Sequence, residues 1–408
     1  MKKETMYPQE EEQRQAVLTR QRNKKMARSA HAYVRGNTAR FYEWLGSAEG
    51  AKLPEGPAVW ICGDCHVGNL GPVADAKGDI AIQIRDLDQT VIGNPAHDLV
   101  RLGLSLASAA RGSDLPGVVT VRMLEQMMEG YESAFNPPEE SEAPDNAMPD
   151  LVQKVMSNAL RRKWRHLARE RIEDTSPTIP KGKKFWPLSK AAHKEVRRLF
   201  GQEDVRRLVT SLHSRDSDAT VEVVDAAFWV KGCSSLGRLR YAVLLEVGGS
   251  KGSLCLMDVK EAVVAVAPSY KKTEMPKDQA ERVVAGAWHL SPALGERMLP
   301  GTIGERRVFL RELLPQDLKF EVSHLSAQEA VKVSRFLASV VGKAHARQMD
   351  ENTRQRWCRE LHLKRSKTLD APSWLWSSVV ELIVSHEGAY LEHCRKFATV
   401  ANDGELQA

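Results

Sequence analysis

The sequence predicts an α+β fold, with an antiparallel sheet region set against a mainly helical one. From VEVVDAAFWVKGCSSLGRLRYAVLLEV to SLCLMDVKEAVVAV, residues 221–266, β-branched and aromatic runs alternate with glycine turns, the texture of an antiparallel sheet. Residues 10–48, and AQEAVKVSRFLASVVGKAHARQ at 327–348, instead repeat apolar side chains at helical spacing. No internal repeat with a period of 20 to 50 residues is visible, so a solenoid is not expected.

The chain has 408 residues, of which 42% are hydrophobic and 27% charged, enough for two or three folding units around a sizeable core. Four segments follow: an N-terminal helical segment, 1–50; a helical region carrying polar loops, 51–215; the sheet region, 216–320; and C-terminal helices rejoining the helical region, 321–408. No run approaches the roughly 18 apolar residues of a membrane span. MKKETMYPQEEEQRQ lacks the apolar core of an export signal, so a cytoplasmic protein without a membrane partner is expected. Six cysteines are scattered at 62, 65, 233, 255, 358 and 394, a pattern of reduced thiols. Cys62 and Cys65 form a single CxxC with no second pair to complete a zinc site.

Basic residues number 59 against 53 acidic, a formal net charge of +6. The excess is concentrated in ALRRKWRHLARERI, 159–172, expected as one helix whose arginines form a solvated face with counter-charges nearby. No nucleic-acid partner is expected. With KGKKFWPL at 181–188, this run points faintly to an anionic partner.

The front of the chain carries the chemistry. Helix is expected to residue 48, and then WICGDCHVGNLG, 60–71, ends a buried strand in Asp64, His66 and Asn69 among glycines. DAKGD, Asp75 to Asp79, reads as a hairpin turn before the β-rich run IAIQI. It lies midway between Asn69 and Asp86, so a hairpin would fold Asp86 back beside Asn69. GNPAHDLVRLGLSLASAA, 93–110, is a turn followed by a helix with Leu99, Leu102, Leu106 and Ala109 on one stripe. NPPEESEAPDNAMPD, 136–150, reads as an exposed linker. Past the sheet, PKDQAERVVAGAWHL is a helix and VFLREL a strand.

Five features call for a common chemistry: Asp64 with Asn69, Asp86 with Asp88, the NPAHDL turn, the glycine hairpin GCSSLG at 232–237, and Lys260 at a strand end. Phosphoryl transfer from a nucleotide uses such a set: a carboxylate to orient the attacking hydroxyl, an amide oxygen and a second carboxylate for Mg²⁺, a glycine loop over the phosphates and a lysine on them. A dinuclear phosphoesterase shares the D-x-H opening but needs further histidine motifs that the sequence lacks. Neither G-x-x-x-x-G-K-[ST] nor an intact G-x-G-x-x-G occurs.

GDCHVGN followed by IRDLDQTVIGNPAHDL resembles the catalytic and metal-binding loops of the protein-kinase-like superfamily, in its aminoglycoside and choline phosphotransferase branch. The resemblance implies a two-lobe fold with ATP and Mg²⁺ as cofactors. Asp64 would be the catalytic aspartate, Asn69 and Asp86 the Mg²⁺ ligands, and Asp98 an anchor for the catalytic loop. Asp88 would be a further metal ligand or a loop carboxylate paired with Arg85. KGCSSLGRLRYAVLLE and LMDVKEA are similar to the glycine loop and lysine strand. Gly232, Ser234, Ser235 and Gly237 would then cover the phosphates, with Lys260 bound to them and Glu281 orienting Lys260. Ser234 stands where the pattern has its middle glycine, and its Cβ resists positive φ.

The motif order departs from that superfamily, because the catalytic loop precedes the lysine strand by nearly two hundred residues. A circular permutation accounts for this and would bring His345 and Arg347 near Asp64, His345 more as a hydrogen-bonded helix residue than as a base. Over most of its length, including KMARSAHAYVRGN and AHARQMD, the chain also resembles the bacterial domain of unknown function 2252 family. The implied activity is transfer of a phosphoryl group from Mg-ATP to a hydroxyl on a small molecule or protein. A nucleotide-binding regulatory pseudo-enzyme and a nucleotidyl transferase are the alternatives on the same fold.

Overall fold

The computed structural model describes residues 8, 11–135, 148–172, 178–212, 214–232, 236–249, 252–318, 325–362 and 372–397. It is an α+β protein with antiparallel sheets. Short strands β1 (Val59–Ile61), β2 (Leu70–Ala74), β3 (Ile80–Ile84) and β4 (Val91–Gly93) come first, then β5 (Phe185–Trp186). They are followed by β6 (Val221–Trp229), β7 (Arg240–Val247), β8 (Ser253–Glu261), β9 (Met298–Ile303) and β10 (Arg306–Leu313). The helices are α1 (Glu11–Met26), α2 (Ala30–Gly36), α3 (Thr38–Leu45), α4 (Pro95–Gly112), α5 (Gly117–Glu132), α6 (Asp150–Leu160) and α7 (Trp164–Ile172). After them come α8 (Lys190–Phe200), α9 (Glu203–Thr210), α10 (Gln279–Leu290), α11 (Pro292–Gly295), α12 (Ala327–Ala346), α13 (Glu351–His362) and α14 (Ser373–Phe397).

The main sheet has strand order β5-β6-β7-β8-β10-β9 with every neighbour antiparallel. Alternation along its strands decides what each face meets. Tyr241, Val243 and Leu245 of β7 pack with Met257 and Val259 of β8 beneath α8 and α9. Ala242, Leu244 and Leu256 turn to the other face, under Leu167 and Ala168 of α7. That second face also carries Lys260, opposite Arg240 on β7 and Phe309 on β10.

The sheet extends beyond the expected 216–320. β5, inside the basic KGKKFWPL loop, pairs with β6, and the rings of Phe185 on Trp229 and Trp186 on Phe228 stack at 5.6 Å. Cross-strand aromatic pairs of this kind stabilise an edge that charge-rich flanking sequence disguises. Two other long helical readings are broken by caps. The 10–48 segment is three helices, because Ser29 accepts from the Ala32 N–H and Asn37 from the Arg40 N–H, each opening a new helix. The basic run 159–172 is split between α6 and α7, since the Lys163 N–H donates to His166 Nδ1 at the start of α7. Its Arg162 and Arg171 both pair with Glu170, the expected counter-charge. Most of the 136–150 linker lies outside the described residues.

The helical region is held by one core in which α5 and α12 pack along each other and α4 lies against α5, α12 and α14. α4 begins at Asn94, whose side chain accepts from the Ala96 N–H, with Pro95 at its first turn. Leu99, Leu102 and Leu106 of the expected stripe are buried, and Ala109 is half-buried. Among the described residues no helix is long and apolar enough to cross a membrane.

Candidate active site

Two small antiparallel pairs build the front wall of the site. β1 pairs with β4, Trp60 opposite Ile92, and β2 with β3, Leu70 opposite Ile84. The DAKGD turn closes β2 to β3, with the Asp75 N–H on the Asp79 carbonyl at 2.9 Å and Gly78 at φ 96°. As the spacing predicts, the hairpin returns the chain to Asn69, whose carbonyl accepts from the Arg85 N–H at 2.7 Å. Asp86 follows at once. Between the strands, Gly63 adopts φ 73°, and a Cβ there would lie 2.1 Å from the Gln89 carbonyl oxygen, so only glycine allows this approach.

α4 fixes the loop that carries Asp64. Asp98, 1% exposed, accepts the Cys62 N–H at 2.7 Å and the Gly63 N–H at 3.0 Å, contacts of the anchoring kind that the resemblance implies for it. One turn further on the same helix face, the buried Arg101 donates to Asp64 Oδ1 at 2.9 Å and to the Val34 carbonyl at 2.8 Å. Asp98 therefore holds the backbone before Asp64, and Arg101 holds its side chain. Burial pushes the Asp64 carboxyl up from its ordinary value, with Arg101 pulling the other way. Burial, then Arg35 and Arg101, lower the neighbouring His66 well below its ordinary value, so this ring is neutral at pH 7. Asn69 gives its amide nitrogen to the Asp64 carbonyl at 2.9 Å, which leaves the amide oxygen as its acceptor.

The other wall comes from α1 and from the segments before β7 and after β8, through Arg22, Met26, Arg238 and Val266, and the main sheet supplies a lysine. Lys260, 5% exposed, extends its ammonium to 3.2 Å from Asp86 Oδ1 and also pairs with Asp88. Asp86 keeps 48% of its side-chain surface open, whereas Asp88 is nearly enclosed and its Oδ1 has no hydrogen-bond partner among the described residues. Burial alone would raise the Asp86 carboxyl, but Lys260, a hydrogen bond with Asp88, and Arg311 and Arg240 hold it well below the usual carboxylate range. Burial and then the Asp86 charge push Asp88 up to about 6. Arg85 does not reach Asp88; its guanidinium donates to the Asp317 carbonyl.

Between the walls lies a cavity of about 300 Å³ lined by Asp64, Asn69, Asp86, Asp88, Arg22 and Arg238, among others. Asn69, Asp86 and Asp88 thus share one space. Among the described residues no group of three or more acidic, histidine or cysteine side chains could enclose a metal by itself. Mg²⁺ is commonly held by one or two carboxylates plus substrate phosphates and water. The open Asp86 carboxylate and the orphaned Asp88 Oδ1 fit such a site.

Of the glycine hairpin, Gly232 and Gly237 have φ near 102° and 105°, while Ser234 and Ser235 lie outside the described residues. α1 runs along this hairpin: Lys25 donates to the Gly232 carbonyl at 3.0 Å, Gln15 abuts Gly237, and Arg22 and Met26 reach the cavity.

Two expected neighbours lie elsewhere. Glu281 is exposed in the first turn of α10, and the carboxylates that meet Lys260 are Asp86 and Asp88. The next residue, Arg282, is the one α10 turns inward, and it donates to the carbonyls of Asp88, Thr90 and Val263. Arg347 is exposed and folds back on the Lys343 carbonyl. His345 is buried as a hydrogen-bonded helix residue, with Nε2 3.2 Å from Asp98 and Nδ1 3.0 Å from the Tyr131 hydroxyl. Arg22, Arg101, Arg238 and Arg282 escaped the sequence reading. For Arg101 a signal was available, since Asp98-x-x-Arg101 places both residues on one helix face.

The family profile described as "Uncharacterized protein conserved in bacteria (DUF2252)" matches residues 14–396. The chain belongs to the DUF2252 family. The match takes in α1, both walls of the cavity and nearly all of α14 in this DUF2252 protein. No curated protein and no solved structure matches it.

Proposed function

We propose that this DUF2252 protein is a kinase-like phosphotransferase moving a phosphoryl group from Mg-ATP to a hydroxyl acceptor. The observation that carries the reading is the Lys260 ammonium, 3.2 Å from Asp86, which lines one cavity together with Asp64, Asn69 and Asp88. The β6–β7 hairpin, Lys260 on β8 and the helix α10 succeed one another as glycine loop, lysine strand and helix do in the kinase-like superfamily. The carboxylate loops come earlier in the chain, so the reading requires a two-lobe fold with permuted motif order.

Each residue then has a task. Asp64, its carboxyl raised by burial and steered by Arg101, receives the proton of the acceptor hydroxyl. Asn69, Asp86 and Asp88 would hold Mg²⁺, and bound Mg-ATP would supply the transferable group and neutralise its charge. Arg22 and Arg238, which line the cavity, and Lys260, held by Asp86 and Asp88, provide fixed positive charge for phosphate oxygens. Lys260 must exchange a carboxylate for a phosphate when nucleotide binds.

The test is a nucleotide screen by thermal shift with and without Mg²⁺, followed by transfer assays on a panel of hydroxyl acceptors. Mg²⁺-dependent stabilisation by ATP is expected, and Asp64→Ala should cut transfer by about 10²–10⁴-fold while leaving nucleotide binding in place. No response to any nucleotide, or unchanged transfer by Asp64→Ala, rejects the proposal. A regulatory nucleotide-binding module is the second reading, favoured by the double engagement of Lys260 by Asp86 and Asp88. ATP binding with no transfer to any acceptor would select it.

A further inference from the structure

A second and larger cavity, about 490 Å³, opens between α2, α4 and α14 and reaches Val67 and Gly68, in the stretch between Asp64 and Asn69. Nothing in the reading above uses it. Its size is that of a small-molecule site, and Val34, Ala109 and Ile383 give it apolar walls.

Its polar groups are unusual in being left unused. His386 is 2% exposed and its Nδ1 lies 2.9 Å from the Leu382 carbonyl. A carbonyl only accepts, so Nδ1 carries the hydrogen and Nε2 of the neutral ring is a bare lone pair. Burial keeps the ring neutral, with its pKa lowered to about 4. That Nε2 has no partner among the described residues, which is unfavourable for a buried acceptor unless something donates to it. Arg35 Nε and His31 Nδ1, in the same lining, have none either.

Charge in the cavity is unbalanced. Arg111 is paired with Glu387 at 2.9 Å, and no ion pair joins Arg35 to any carboxylate among the described residues. Two arginines therefore face one carboxylate. Gly68 lets Arg35 lie close, because a Cβ there would sit 3.0 Å from the guanidinium carbon.

We propose that this cavity binds a small anion that also bears a hydroxyl. Its carboxylate or phosphate meets Arg35, its hydroxyl donates to His386 Nε2, and its apolar body lies against Val34, Ala109 and Ile383. The assignment does not depend on the phosphotransferase reading; with its hydroxyl on His386 and away from Asp64, the ligand is an effector and not the acceptor.

Calorimetry on the full chain tests it with 4-(hydroxymethyl)benzoate and 4-(hydroxymethyl)phenyl phosphate as probes. The comparators are 4-methylbenzoate, which lacks the hydroxyl, and benzyl alcohol, which lacks the anion. Each comparator should bind about tenfold more weakly than its parent probe, the loss of one good hydrogen bond or charge-assisted contact. Arg35→Gln should weaken both anions at least about tenfold, and His386→Phe should erase the preference for the hydroxylated probe. Should His386→Phe not fold, Ala109→Trp blocks the cavity from a half-buried position and must abolish binding. Absence of binding by both anionic probes, equal binding of benzyl alcohol, or indifference to Arg35→Gln would overturn the proposal. Asp64→Ala should leave probe affinity unchanged, so a failed transferase reading and a failed anion site give different results. With Mg-ATP added, phosphorus NMR should find the probe bound but unmodified, and a phosphorylated probe would overturn the placement of its hydroxyl on His386.

Discussion

Two carboxylate centres meet the loop or the cavity of Asp64, and they are built on opposite principles. Asp98 is closed: two backbone N–H groups and His345 use its oxygens, and the chain of contacts continues through Tyr131 to Trp357. Asp86 and Asp88 are open: their main partner is a single lysine from another sheet, one carboxylate is half-exposed, and one oxygen has no partner. The first arrangement satisfies every acceptor and rigidifies the loop it holds. The second concentrates like charge beside a cavity, which costs stability and is retained where a ligand repays it. The comparison separates the acid that fixes the Asp64 loop from the acids that the proposed function assigns to Mg²⁺.

Removing the closed centre should do the most damage. Asp98→Ala strands the Cys62 and Gly63 N–H groups and His345 in the core, and a loss of about 3–5 kcal/mol is expected in chemical denaturation. A loss below about 1 kcal/mol would show that Asp98 is no more an anchor than Asp86.

Acid should act next, on the lining of the second cavity. His386 on α14, which packs against α4, has its folded-state pKa lowered to about 4 by burial and then by Arg101, against an ordinary 6.5. The unfolded chain therefore binds this proton more readily, so the contribution is intact above about pH 6.5 and is lost as pH falls toward about 4. The shift corresponds to roughly 3 kcal/mol, visible as a declining denaturation midpoint across that window. A flat midpoint would mean that water reaches the ring.

Tyr131→Phe trims the far end of the Asp98 network, leaving His345 Nδ1 and Trp357 Nε1 without their shared hydroxyl. About 1–3 kcal/mol should be lost with little change in nucleotide binding. The smallest stability effect is expected at the open centre. Asp86→Asn should stay within about 1 kcal/mol of the parent protein, because Lys260 retains Asp88, yet weaken Mg²⁺-dependent nucleotide binding by about 10–100-fold. An Asp86→Asn protein that unfolds easily but binds nucleotide normally would reverse the assignment of the two centres.

The two centres also differ in how well the sequence discloses them. Asn69 and Asp86 were placed together by counting residues either side of the DAKGD turn, since a hairpin's register follows from its turn. The helix α4 with Asp98 near its start was legible from Asn94-Pro95 and the leucine stripe. Glu281 against Arg282 marks the limit. The helix itself was evident, but its rotation about its axis was not, and one residue's error of phase separates an exposed carboxylate from a buried guanidinium. Arg101 and Arg282 reach partners 37 and 194 positions away, and a long flexible side chain gives no local sign of where its head group docks.

By itself the sequence determined the α+β class, the hairpin that joins Asn69 to Asp86, and the helix carrying Asp98, because each follows from side-chain periodicity and turn chemistry over short spans. Only the tertiary structure decided that Lys260 meets Asp86 and Asp88, that α1 lies along the glycine hairpin, and that α2, α4 and α14 enclose a second cavity. Those outcomes depend on how separately formed surfaces pack and on where buried charge finds its partner, quantities that local spacing does not encode.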